Sequence, residues 1–187
     1  MKKKINIYIF ARRPEIGVGK TRLKKRIGKI LGANFYHRNL SKLLRTLNSD
    51  NRINTSLYVT PDSATYNWPK YISYKIKRFP QGRGNIGNKM IRILNQNKEA
   101  KLLIGSDIPN ITLSVLNEAW KKLHNCNVLL GPAQDGGFWL IGFSKRTNIK
   151  NLFKNINWNR KDTLKQVKNN IHTKYKVLYT KTLKDID

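Results

Sequence analysis

Short apolar runs that stop at glycine, proline or polar turns alternate along this chain with segments whose apolar residues recur at helical spacing. That alternation leaves few folds open. The apolar runs are "INIYIF" at 5–10, "TSLYVTP" at 55–61, "ISYKIKRFP" at 72–80, "KLLIGSD" at 101–107, "NVLLGPA" at 127–133, "GFWLIGF" at 137–143 and "KVLYT" at 176–180. Between them, helical spacing marks 21–32, 35–47, 85–96 and 112–124, with shorter helical pieces expected around 149–156 and 162–171. Asn85 and Thr112 stand where side-chain N-caps are needed. Strands that alternate with helices predict a three-layer α/β/α domain around a mostly parallel sheet. In such sheets ligands bind beyond the carboxyl ends of the strands, so the loops after Phe10, Phe79, Ile104 and Leu130 are expected to meet on one edge.

The 187 residues suit one domain over 1–187, since no repeat, low-complexity linker or change of composition divides them. Cys126 is the only cysteine, which excludes an internal disulfide and reads as a buried thiol in a reducing compartment. The basic opening "MKKK" precedes an apolar run too short and too interrupted by Asn6 for a signal peptide. No stretch is apolar for the length of a membrane span, so a cytoplasmic location is expected. Thirty-eight Lys and Arg against ten Asp and Glu give a net charge of +28, which raises the possibility of a nucleic-acid partner. The cations are spread over the whole chain, lysine outnumbers arginine, and asparagine and isoleucine are abundant too. A general compositional bias explains that pattern better than a dedicated nucleic-acid surface, and anionic small substrates fit either reading.

Four loops carry the chemistry. In "ARRPEIGVGKTRL" the letters Gly19-Lys20-Thr21 would close a phosphate-binding P-loop, but its first glycine position holds Pro14, which has no amide hydrogen. A strand, a glycine-containing loop and a helix N-terminus still favour an anion, and Lys20, Arg22 and Arg12 or Arg13 add positive charge. "FPQGRGNIGNKM" places three glycines after a strand, with Gln81 offering an amide to a nucleobase edge. Carboxylates are scarce, yet Asp107 follows a strand in "GSDIP" and Asp135 lies in "PAQDGGF" between two strands. A divalent cation takes one or two carboxylates together with substrate phosphate oxygens. As plain turn formers, Asp107 would precede Pro109 and Asp135 would make an Asp-Gly turn. Trp120, Trp139 and Trp158 read as core residues, and His37, His124 and His172 as helix residues without metal-ligand spacing.

Taken in order, "FARRPEIGVGKTRL", "QGRGNIGNKM", "LLIGSDIPNIT", "LLGPAQDGGFWLIGF" and "LFKNINW" resemble a family of bacterial GT-A glycosyltransferases, related more distantly to the phospholactate and molybdenum-cofactor guanylyltransferases. The resemblance runs from Ile5 to about Trp158. It implies a nucleotide-diphospho-sugar transferase (GT-A) Rossmann-like fold, a bound nucleotide and a divalent metal, Mg²⁺ or Mn²⁺. By that resemblance Arg12, Gly17, Gly19, Lys20 and Arg22 would grip the donor phosphates, and Gln81, Gly82 and Gly84 would sit beside the base. Asp107 would be the metal ligand. Asp135, Gly136 and Gly137 would line the side of the acceptor or transferred group, with Asp135 and Lys20 as catalytic candidates. The family's usual "QGxGDLGxRM" here carries Asn85, Ile86 and Lys89, and "DGGF" replaces the commoner "DGGY". If the Asp replaced by Asn85 only caps a helix, Asn serves as well. The implied activity is a metal-dependent transfer of a sugar from a nucleotide sugar to an unidentified acceptor. The alternatives are nucleotidyl transfer from a nucleoside triphosphate to an anionic acceptor and, in another class, nucleic-acid binding.

Overall fold

The computed structural model describes residues 4–16, 21–72, 76–145, 147–158 and 160–184, apart from the side chains of Thr21, Arg22, Lys24 and Tyr71. Its strands are β1 (Ile5–Arg12), β2 (Ile53–Thr60), β3 (Lys77–Pro80), β4 (Lys101–Gly105), β5 (Val128–Pro132), β6 (Phe138–Phe143) and β7 (Val177–Tyr179). Its helices are α1 (Thr21–Ile27), α2 (Lys29–Asn48), α3 (Ile86–Leu94), α4 (Leu113–Leu123) and α5 (Thr163–Asn169). The strands form one sheet in the order β3-β2-β1-β4-β6-β5-β7, parallel throughout except for β6, which runs against both its neighbours. The carboxyl ends of β1 to β5 and β7 therefore share one edge with the amino end of β6, as the alternation predicts.

The two faces of the sheet bury separate apolar clusters. On one, Ile5, Ile7, Ile9 and Ala11 of β1 pack with Leu40, Leu43, Leu44 and Leu47 of α2 and with Leu116, Ala119, Trp120 and Leu123 of α4. On the other, Tyr8, Tyr58, Leu103 and Ile141 pack with Met90, Ile93 and Leu94 of α3 and Val167 of α5. Side chains two apart on a strand point to the same face, so β1 feeds both clusters, through Ile5, Ile7, Ile9 and Ala11 on one face and Tyr8 and Phe10 on the other. Trp120 and Trp139 are buried in the core, and Trp158 packs edge-on against Phe138 and tilted against Phe153.

Three boundaries differ from the sequence reading. The helix break falls at Gly28, whose φ of 86° admits no continuing helix, so 29–48 is one helix and Gly32 lies buried inside it. The segment 149–156 makes turns and no helix: Leu152 N donates to Ile149 O and Lys154 N to Asn151 O, both at 3.1 Å, while Ile149, Leu152 and Phe153 join the apolar cluster of α3 and α5. β3 is four residues long: Ile72, where the expected strand starts, ends a 3-10 turn over Lys70–Ile72, and 73–75 lie outside the described residues. His172 falls beyond the end of α5, while Asn85 and Thr112 cap their helices as expected, accepting from Asn88 N at 2.9 Å and Val115 N at 3.3 Å.

Candidate functional site

The site is built on the seam between β1 and β4. Phe10 pairs with Gly105, the last paired position, so Arg12 and Asp107 both stand two residues beyond it on adjacent parallel strands. Asp107 folds its carboxylate back over the strand end: a Cβ added at Gly105 would lie 2.9 Å from its Oδ1, so glycine is what leaves the carboxylate room. Asp107 is half-buried and Arg12 exposed.

A clasp from α2 holds this seam. The Tyr36 hydroxyl accepts from Arg12 N at 2.9 Å, donates to Arg12 O at 2.9 Å and lies 3.0 Å from Ser106 Oγ. One turn on, Asn39 Nδ2 donates to Ser106 O at 2.9 Å, and both Asn39 and Ser106 are buried. Burial pushes the Tyr36 phenol up to about 12, with the Asp107 charge acting in the same direction and the Ser106 and Arg12 hydrogen bonds and the Arg12 charge against it. The charges of Arg12 and Asp107 thus both reach one hydroxyl. Neither Tyr36 nor Asn39 stands out in the sequence, where "FYHRN" reads as ordinary helix; only their spacing of three hints at a shared face.

The glycine loop after β3 forms one flank. Gln81 is buried, and its amide nitrogen donates to Tyr58 O at 2.9 Å and Ala11 O at 3.3 Å. This corrects the expectation that Gln81 offers its amide NH₂ to a base: those donors tie the ends of β1 and β2 together, because strand-end carbonyls inside the fold need partners. Gly82, at φ 75°, donates its N–H to Asp62 Oδ1 at 3.0 Å. Arg92 of α3 reaches back to Gln81 O and Arg83 O, both at 2.8 Å, and a Cβ at Gly82 would lie 2.4 Å from its guanidinium. Gly84 has φ 104°. Asp62 and Arg92 were missed in the sequence, although Asp62 is one of only ten carboxylates and directly follows the proline that ends β2.

The turn between β5 and β6 forms the other flank, beside Asp107, because β6 pairs with β4. Asp135 is exposed and its Oδ1 accepts from Gly137 N at 2.8 Å. Gly136, at φ 90°, is pressed against the chain before α5: an added Cβ would lie 1.9 Å from Lys161 O, and its own carbonyl accepts from Leu164 N at 3.0 Å. Asp135 therefore has the turn-forming role, with its second oxygen turned to no partner among the described hydrogen bonds. Gly17, Gly19 and Lys20 lie outside the described residues, as does the side chain of Arg22.

Arg12, Gln81, Gly82, Gly84, Asp107, Asp135, Gly136 and Gly137 are thus all brought to one edge. Two cavities of about 390 and 430 Å³ lie at the opposite edge, one lined by Trp120, His124, Cys126 and Lys176 and the other by Asn148, Asn170 and Tyr175. No group of three or more His, Cys, Asp or Glu among the described residues is arranged to hold a metal.

Residues 43–160 match the model of a family described as an uncharacterized protein conserved in bacteria, DUF2064. The chain belongs to that family. The region shared with this DUF2064 model contains Asp62, the glycine loop at 81–85, Asp107 and the 133–137 turn, and begins after Arg12, Tyr36 and Asn39. No curated protein matches the sequence. Among solved structures, a "putative nucleotide-diphospho-sugar transferase" from Desulfovibrio desulfuricans superposes with a TM-score of 0.84 at 24% identity, over 99% of this chain and 83% of that one. A 4-diphosphocytidyl-2C-methyl-D-erythritol synthase from Anaerococcus prevotii gives 0.61 at 13% identity, over 96% and 89%. The molybdopterin-guanine dinucleotide biosynthesis protein A of Archaeoglobus fulgidus gives 0.51 at 12%, over 95% and 83%. At these identities the likeness is one of fold, and it places this DUF2064 chain among nucleotide-diphospho-sugar transferase-type folds, as the motifs imply.

Proposed function

We propose that this edge binds the diphosphate of a nucleotide-activated donor together with a divalent cation, and that the chain is a transferase that moves a sugar from a nucleotide sugar to an acceptor. The observation that carries the reading is the register of the β1–β4 seam, which sets Arg12 and Asp107 each two residues beyond the Phe10–Gly105 pair, where Tyr36 bonds the Arg12 backbone and Ser106. A cation and a carboxylate carried at matching positions beyond two adjacent strands, between two glycine loops, suit a phosphate and its metal. The donor set fits Mg²⁺ or Mn²⁺ in one specific way. A single carboxylate is too few for an all-protein cage, but a small hard cation is commonly held by one or two carboxylates plus substrate phosphates and water. Asp107 would hold it, and the cation would neutralise charge developing on the leaving diphosphate.

The remaining roles fall to the chain's own groups. Arg12 would bind a donor phosphate oxygen, and Lys20 and Arg22, on the segment that follows β1, would add to the same field. Gly82 and Gly84 would let the base approach the loop backbone, since both lie at positive φ and Gly84 is exposed. In the transfer, the bond between the anomeric carbon and the diphosphate oxygen breaks and a bond from the acceptor oxygen forms. The acceptor's proton goes to Asp135, whose Gly137 hydrogen bond leaves one carboxylate oxygen available.

Nucleotidyl transfer is the second reading, favoured by the fold's likeness to the cytidylyl synthase structure. The two part by product: incubation with nucleotide sugars and acceptor extracts should release nucleoside diphosphate, whereas release of pyrophosphate from a nucleoside triphosphate would replace sugar transfer with nucleotidyl transfer. Among the described residues no helix is long and apolar enough to cross a membrane.

A further inference from the structure

Between Glu15 and Asp50 the sequence holds no acidic residue and nine Lys and Arg. This stretch also carries the most exposed aliphatic surface on the described helices. Residues 25–31, which join α1 to α2, are exposed without a break. They read Lys-Arg-Ile-Gly-Lys-Ile-Leu, with Ile27 40%, Ile30 63% and Leu31 60% exposed among Lys25, Arg26 and Lys29. Gly28 turns the chain between the two helices, so the apolar side chains stand on a knuckle and not along one helix face.

The fold fixes where the knuckle points. α2 runs antiparallel to β1, and Tyr36 meets Arg12 at the strand end. Lys29 lies seven residues earlier, roughly 10 Å further along the helix axis at 1.5 Å per residue. The first turns of α2 therefore stand beyond the sheet edge, and the residues that α2 buries begin only at Gly32.

The geometry points to this knuckle as a docking surface for an anionic phospholipid bilayer. Exposed aliphatics interleaved with lysine and arginine are what an interfacial segment needs: the apolar side chains enter the boundary between headgroups and acyl chains, and the cations meet the anionic headgroups. The competing occupants fit less well. A second copy of the chain brings another +28 charge against the same cations, and three side chains fall far short of a stable protein interface. Nucleic acid would account for the cations and leave Ile30 and Leu31 in water. This surface stands independently of the proposed chemistry.

Cosedimentation of the full chain with vesicles tests it. Binding is expected to vesicles of phosphatidylglycerol mixed with phosphatidylcholine, and to be at least tenfold weaker to phosphatidylcholine alone. Because a chain of this charge is drawn to any anionic surface, the deciding variant keeps the charge: Ile30→Ser together with Leu31→Ser. Both positions are exposed, so the melting temperature should not move, and binding to the mixed vesicles should fall at least tenfold. Lys25→Gln with Lys29→Gln should weaken it by a further factor of about five per cation. Undiminished vesicle binding by the Ile30/Leu31 variant, no vesicle binding by the native chain, or a dimer in sedimentation equilibrium that the same variant dissolves would each overturn the proposal.

Discussion

Asp107 and Asp135 occupy neighbouring positions on the same edge, yet they are held there by different means. Asp107 sits in a turn clasped by a helix 67 to 70 residues away in sequence, through Asn39 to Ser106 O and Tyr36 to Ser106 Oγ. Asp135 is held by its own turn, through Gly137 two residues on, and the fold secures that turn through the backbone of Gly136 packed on Lys161. One carboxylate is placed by side chains from across the sheet; the other is placed by local backbone geometry. A position fixed by long-range side chains is sensitive to single polar substitutions far from it. A position fixed by a tight turn is sensitive only to changes at the turn.

The largest effect on stability should come from the turn itself. Gly136→Ala demands a left-handed φ from an L residue and drives its Cβ into a backbone carbonyl that cannot swing aside. Strain and overpacking together should cost about 2–5 kcal/mol, measured by urea denaturation, and the hydrogen bond from Gly137 N to Asp135 should break. A variant of native stability would show that the turn is looser than described. Next comes the clasp: Asn39→Ala removes the buried partner of Ser106 O and should cost about 1–3 kcal/mol. Tyr36→Phe should cost about 1 kcal/mol. Both should weaken nucleotide binding through Asp107 more than Asp135→Asn does. If Asn39→Ala leaves nucleotide affinity unchanged, the helix does not position the site.

An effect of pH separates the site edge from the polar cluster at the opposite end of the sheet. There, Lys101 is 2% exposed and donates to Leu94 O at 2.8 Å and to Asn97 O. Burial pulls its amine down to about 8, with the Glu99 charge opposing. The unfolded chain keeps that proton up to the ordinary lysine value of 10.5, so it binds more protons than the native chain between about pH 8 and 10.5. Stability should therefore rise with pH across that window. Tyr36 and Tyr58 act in the opposite sense above pH 10, since burial raises both to about 12 and the unfolded chain ionises first. A stability maximum near pH 10 is expected in thermal melts, with the rise below it absent in Lys101→Met. An unaltered rise in that variant would assign it to another group.

The same contrast explains what could be read from the sequence. The sheet, its edge and the helix caps follow from features local in sequence: apolar runs, helical spacing, Asn85 and Thr112 at cap positions. Asp135-Gly136-Gly137 was legible for the same reason. The motifs that place the chain among nucleotide-diphospho-sugar transferase-type folds are also short contiguous stretches. Tyr36, Asn39, Asp62 and Arg92 were not legible, because each acts on a backbone group brought near only by folding. Gln81 was misread in its detail: a polar side chain at a loop entrance looks available until the carbonyls of Ala11 and Tyr58 are seen beneath it. Gly28 was passed over because helical spacing continues on both sides of it, while the φ of 86° that breaks the helix leaves no trace in apolar periodicity.

The central claim is that Asp107 completes a metal-dependent nucleotide site on this edge. Thermal melts of the native chain and of Asp107→Ala, against nucleoside di- and triphosphates and nucleotide sugars with and without Mg²⁺ or Mn²⁺, test it most directly. A ligand at a hundred times its Kd stabilises by about 2.7 kcal/mol, a shift of roughly 5–10 °C in a domain of this size. The account predicts such a shift for the native chain with at least one nucleotide, only when metal is present, and none for Asp107→Ala when each is measured against its own ligand-free melting temperature. An equal metal-dependent shift in Asp107→Ala, or no shift of the native chain with any nucleotide, would contradict it.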